Sequence, residues 1–228
     1  MRVALLSGGG AEAARRARAA GADVVCLPQL SFGPYLPAVL DRRAYEQAQR
    51  PPARAFRDAL AAGDGAWLAA SVYESEGEGV FYATGMLGRA GGGPPLRHRQ
   101  RRLEASPGRF EQLLFSPGHE PPGVIELPWG PTGVLIGADV GDPASWADLA
   151  AAGARVILGG FSAPAQLWER MRRVVAGLAA SHGIAALVAN RAGEEHGIRF
   201  AGGGSGWDAG GAPIAPGADG LLEVGATP

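Results

Sequence analysis

The sequence contains no lysine; its 21 basic residues are all arginine. A lysine Schiff base, a phosphate-loop lysine and any catalytic set with a lysine cation are thereby excluded. Cysteine is almost as scarce. Cys26 stands alone, which excludes an intrachain disulfide framework and a cysteine-based zinc cluster. The four histidines, His98, His119, His182 and His196, show no metal-ligand spacing, so each is expected on the surface or in a loop. No apolar run reaches the roughly 18 residues of a membrane span, and residues 3–6 are too short for the apolar part of a secretory signal. The expectation is a cytoplasmic protein that crosses no membrane. Nor is there an excess of either charge. A net charge of −1 argues against a general affinity for nucleic acid or for acidic membranes.

What is abundant is small and apolar. Alanine (44) and glycine (37) supply 81 of the 228 residues, which blurs pattern reading because alanine fits core and surface alike. With 46% hydrophobic and 19% charged residues, the chain has the composition of a folded globular protein. We read residues 1–228 as one domain without a linker or an internal repeat.

Strand and helix patterns alternate along it. Residues 3–6, 23–27, 67–73, 81–87, 123–127, 132–136, 155–158 and 184–189 read as strands. Residues 11–20, 54–62, 143–152 and 167–182 read as helices, most of them closed by a glycine. Gly77 and Gly79 mark a hairpin turn, and further hairpins are expected beyond Phe200. The alternation is that of an α/β layered protein.

Single motifs are uninformative. Ser7-Gly8-Gly9-Gly10 joins a strand to a helix but lacks dinucleotide-binding spacing, so it reads as a plain βα turn. Arg97-His98-Arg99-Gln100-Arg101-Arg102 is densely basic without interleaved aromatics. It reads as a solvated strand edge or a carboxylate-pairing surface, not a nucleic-acid site. Gly204-Ser205-Gly206-Trp207 has Trp207 where a nucleophile elbow needs glycine. Cys26, within an apolar strand, reads as a small buried hydrophobe.

In combination the motifs say more. Residues 21–30 continuing to Pro34-Tyr35, the pairs Tyr73-Glu74 and Phe81-Tyr82, Pro107-Gly108-Arg109-Phe110-Glu111 through Ser116-Pro117-Gly118, and Asn190-Arg191-Ala192-Gly193 occur in the order found in one family. On these residues the chain resembles the nitrilase (carbon–nitrogen hydrolase) superfamily, nearest to its N-carbamoyl-amine amidase branch. The resemblance implies a four-layer αββα sandwich. It also implies a reaction in which a glutamate base, a lysine and a cysteine nucleophile attack a carbonyl or nitrile carbon.

Each of those three positions is replaced. Gln29 stands where the resemblance places the glutamate, Gln100 where it places the lysine, and Gly137 where it places the cysteine. A buried Glu–Lys pair that loses one member strands a charge, whereas two amides of similar reach can bond each other. Gly137 is expected to leave a small void and to keep its backbone N–H. Glu111 matches a second family glutamate beside the lysine, and in its absence Arg99, Arg101 and Arg102 are the candidate partners. Tyr35 matches a pocket-lining position.

The expected ligand-binding set is therefore Glu111, Tyr35, Gln29, Gln100 and Ala138, with no catalytic residue, no cofactor and no metal. The leading expectation is a pseudoenzyme that binds a small amide-like or acidic ligand or a protein partner. The alternative is an enzyme acting on a C–N bond with Glu111 as acid or base, the N–H of Ala138 as oxyanion donor and water as nucleophile. A homodimer through the face bearing helix 167–182, or a hetero-oligomer with an active relative, is the expected assembly.

Overall fold

The protein is described here by a computed structural model, which covers residues 1–39, 43, 48, 53–77 and 79–225. Two six-stranded mixed sheets lie face to face. The first has the order β14-β1-β2-β3-β4-β5, built from β1 (Arg2–Leu5), β2 (Val24–Cys26), β3 (Trp67–Gly77), β4 (Val80–Gly88), β5 (Leu96–Arg99) and β14 (Leu222–Glu223). The second has the order β13-β12-β9-β8-β7-β6, from β6 (Val124–Leu127), β7 (Gly130–Ile136), β8 (Val156–Phe161), β9 (Ala185–Asn190), β12 (Ser205–Trp207) and β13 (Pro213–Ile214). A separate hairpin pairs β10 (Ala192–Glu195) with β11 (Ile198–Ala201).

The period of two along each strand explains the layering. In β2, Val24 and Cys26 point between the sheets, where they meet Val134, Leu158 and Leu187 of the second sheet. Val25 and the following Leu27 point the other way, to Ala17 of α1 (Ala11–Ala19) and Phe56 and Ala59 of α2 (Arg54–Ala62). The second sheet repeats the arrangement. Leu135, Ile157, Ala186 and Val188 face Trp146 and Leu149 of α4 (Pro143–Ala151), and Trp168, Val175 and Ala179 of α5 (Ala165–His182). Both faces of both sheets are covered, so the central strands read as continuous apolar runs. The layers are αββα, as the resemblance implies.

Most expected elements appear within a residue or two of their predicted ends. Local chemistry sets those ends. Gly183 closes α5 in the left-handed conformation, with φ of 66°. Asp142 caps α4, accepting hydrogen bonds from the Ser145 N–H (3.0 Å) and hydroxyl (2.9 Å). Several short elements escaped prediction, among them the hairpin β10–β11, which lies ahead of the hairpins expected beyond Phe200. β5 hides in the basic run, and the single turn α3 (Glu111–Leu114) is too short to show a period.

The fold gathers one edge for a site. The parallel strands β1, β2, β7, β8 and β9 end on it, and so does β5, which runs parallel to β3 through two antiparallel pairings. Polar groups placed just beyond strand carboxyl ends meet in the crevice between crossovers. Gln29, Gln100, Gly137, Ser162 and Arg191 all follow such ends.

Candidate functional site

Gln29 sits three residues beyond β2, on a backbone fixed from several sides. Leu30 holds a left-handed φ of 52°, a strained setting for a bulky residue. Its N–H donates to the Ser71 hydroxyl at 2.5 Å, and its carbonyl accepts from the Arg191 guanidinium at 2.8 Å. Arg191 also donates to the Gln29 carbonyl (3.0 Å), the Ser162 hydroxyl (3.2 Å) and Glu195 (2.6 Å). The second sheet comes close beneath: a Cβ on Gly160 would lie 2.6 Å from the Leu27 carbonyl oxygen and 3.0 Å from the Gln29 nitrogen. Glycine in β8 is what lets the 27–29 segment lie there.

The side chains of Gln29, Gln100, Glu111 and Tyr35 form one sealed cluster, each at most 1% exposed. The Gln29 amide donates to Gln100 Oε1 and to Glu111 Oε1, both at 2.8 Å. The Gln100 amide donates to Glu111 Oε2 and to the Arg102 carbonyl, both at 2.7 Å. The Tyr35 hydroxyl donates to Glu111 Oε1 at 2.7 Å, and the Glu104 N–H to Glu111 Oε2 at 3.1 Å. Glu111 thus receives four donors, none of them an arginine. This corrects the expectation that Arg99, Arg101 or Arg102 balances it. Those three are engaged elsewhere: Arg99 with Glu74 and Glu76, Arg101 with Asp148, and Arg102 with Asp142. The cation that acts on the cluster, from beside the Tyr35 phenol, is Arg109. Burial pushes the Tyr35 phenol well above its ordinary range, Glu111 adds to the rise, and Arg109 opposes it.

Gly137 opens a five-residue 3-10 turn (Gly137–Gly141) directly after β7, with φ of 54°. A Cβ built there would lie 2.5 Å from both the Gln29 and the Gln100 amide nitrogens. The expected void is therefore not present; the two amides fill the space in which a side chain at 137 would stand. Ala138 follows in the same turn, half-buried.

His98 is a second correction. It is 3% exposed, and its Nε2 lies 2.7 Å from Asp139 Oδ2. The period of two in β5 turns His98 inward while Arg97 and Arg99 face out. Asp139 also accepts from the Arg101 and Arg102 N–H groups, at 2.8 and 2.7 Å, so the 3-10 turn anchors the segment that carries Gln100. The outward arginines of the basic run pair with carboxylates: Arg97 and Arg99 donate to buried Glu74 at 2.6 and 2.5 Å. His119 and His196 are exposed and His182 is half-buried against Trp146. Among the described residues no cluster of three or more metal-ligating side chains occurs. Cys26 is fully buried between the sheets, and burial pushes its thiol far up.

Sequence reasoning passed over Arg191 and Arg109. The Arg191 contact to Gln29 spans 162 residues, and Arg109 meets Tyr35 and Phe161 only through the tertiary fold, so no local pattern announces them.

This geometry, with its layers, belongs to a class of protein that comparison identifies. The family model for carbon–nitrogen hydrolases matches residues 8–211, and the chain belongs to that family. Among solved structures it is similar to a cysteine-to-alanine variant of the Nesterenkonia AN1 amidase from the nitrilase superfamily, with 25% identity and a TM-score of 0.83. That match covers 94% of this chain and 85% of the other. A glutamate-to-glutamine variant of the same amidase, with the acetamide moiety of fluoroacetamide on its active-site cysteine, matches at 25% identity and a TM-score of 0.82, covering 94% and 84%. A carbon–nitrogen hydrolase from Helicobacter pylori G27 matches at 18% identity and a TM-score of 0.82, covering 97% and 87%. No curated protein matches the chain.

Proposed function

We propose that the protein is a pseudoenzyme: a carbon–nitrogen hydrolase fold that binds a small ligand, or a protein partner, without hydrolysing it. The observation that carries this reading is the fit at Gly137. The family resemblance assigns that place to the cysteine nucleophile, and here two neutral amides occupy the volume a side chain would need. Gln29 and Gln100 stand where the base and the cation belong, and the chain has no lysine to supply that cation from elsewhere. The one thiol is no substitute, because it is enclosed between the sheets and held protonated. The retained order favours a binding role: Gln29, Gln100, Glu111 and Tyr35 are joined in a single network, where random decay leaves stranded charges.

The alternative, hydrolysis with Glu111 as base and water as nucleophile, asks Glu111 to take a proton from water. Its two oxygens already accept four hydrogen bonds. We therefore place it second.

Purified protein assayed against N-carbamoyl amines, amides and nitriles is expected to show no turnover above background. Turnover that persists through repurification and thiol alkylation would overturn the reading. If that activity vanished in Glu111→Gln, the alternative would replace it.

A further inference from the structure

Arg109 is a buried cation acting on Tyr35 and Glu111, and none of its guanidinium nitrogens makes a well-formed hydrogen bond among the described residues. It ends a tight turn in which its N–H donates to the Ser106 carbonyl at 2.8 Å. The residue is 3% exposed, and Nε, Nη1 and Nη2 are all buried without a well-formed hydrogen bond among the described residues. Its Cζ lies 5.0 Å from the centre of the Phe161 ring, a floor that steadies a flat cation but accepts no conventional hydrogen bond. The guanidinium lies beside the Tyr35 phenol and draws it down against burial, by its charge and as a hydrogen-bonding neighbour, but no N–H points well enough at that oxygen to make a well-formed bond. Glu111 has its oxygens filled by four other donors. Glu104 comes nearest, with Oε1 3.7 Å from Nη2, too far for a hydrogen bond, and its side chain is 24% exposed.

We propose that Arg109 binds the carboxylate of a small organic acid, which takes the place of the Glu104 side chain as its counter-ion. The inference rests on the reading of this site as a ligand-binding centre, and commits it to an acidic ligand. A planar guanidinium with free N–H groups matches two coplanar oxygens, which a carboxylate offers and a neutral amide does not. Charge balance selects the group that leaves. Arg109 faces two carboxylates, Glu111 and Glu104, so a third must displace one. Glu111 is fixed by its donors. Glu104 is tied to Glu111 by its backbone N–H and leaves its side chain free to turn to solvent.

The test is titration of the purified protein with acetate and propionate against acetamide and propionamide, at constant ionic strength, followed by calorimetry and thermal shift. The acids are expected to bind and stabilise, and the isosteric amides are not. Arg109→Gln is expected to weaken acid binding about tenfold or more, Arg109→Lys less, and Glu104→Gln to tighten it. Equal response to acids and amides in the unmodified protein, or undiminished acid binding by Arg109→Gln, would overturn the proposal. If Arg109→Gln does not fold, the acid–amide comparison and Glu104→Gln still decide. Failure here is separable from failure of the pseudoenzyme reading. An inert protein that ignores acids refutes only this proposal, whereas an acid-binding protein with amide turnover supports it and refutes the other.

Discussion

Position 137 is where a single atom matters most. A Cβ there meets both amide nitrogens at 2.5 Å on a backbone with φ of 54°. Gly137→Ala combines a left-handed penalty with overpacking and is expected to destabilise by about 2–4 kcal/mol, read from chemical denaturation. Trimming an amide should relieve part of that cost, so Gly137→Ala measured in a Gln100→Ala background should show coupling. A loss equal in both backgrounds would mean that the amides do not set the limit. By the same logic, Gly137→Cys alone is expected to show no amidase activity. The triple change with Gln29→Glu and Gln100→Lys is expected to give at best weak amidase activity, because the surrounding contacts now suit amides. Gln29, Gln100 and Gly137, which the structure brings together, could be grouped from the sequence because each lies a fixed covalent distance from a recognisable motif. His98 was misread because a run of six polar residues looks like open surface until a strand period turns alternate members inward.

At the level of elements, the site depends on segments that follow strand ends and have little regular structure. The loop after β2 is held by Arg191, whose guanidinium reaches three carbonyls, a hydroxyl and a carboxylate. Arg191→Ala strands those acceptors and leaves Leu30 strained without its tether. A loss of about 3 kcal/mol is expected, with faster hydrogen exchange in residues 29–33 than in α5. Uniform exchange across the molecule would show that Arg191 does not act locally. Strands and long helices were readable because burial imposes periods of 2 and 3.6 on many residues together. α3, a single turn, offers no such repetition, and the arginine clamps join residues that only the tertiary fold brings close.

For the molecule as a whole, the lack of lysine simplifies its response to alkali. Burial holds Cys26, Tyr35 and Tyr73 protonated well above their ordinary values of 9.0 for the thiol and 10.0 for the phenols. Unfolding releases these groups to ionise, so the unfolded chain binds fewer protons at high pH. The stability they contribute is complete below about pH 9 and falls as the pH rises beyond it. Arginine keeps its charge throughout this range, and no lysine side chain titrates alongside. Denaturation midpoints are expected to hold level from about pH 7 to 8.5 and then to decline. A midpoint that stays level to pH 11 would contradict the burial of these groups.

Cys26 gives the fold a reporter of its own. Its sulfur is walled in by residues from both sheets, so a thiol reagent meets it only when the sandwich parts along its central seam. The labelling rate of the unmodified protein then counts those partings against time, with no probe to introduce and no second thiol to confuse the signal.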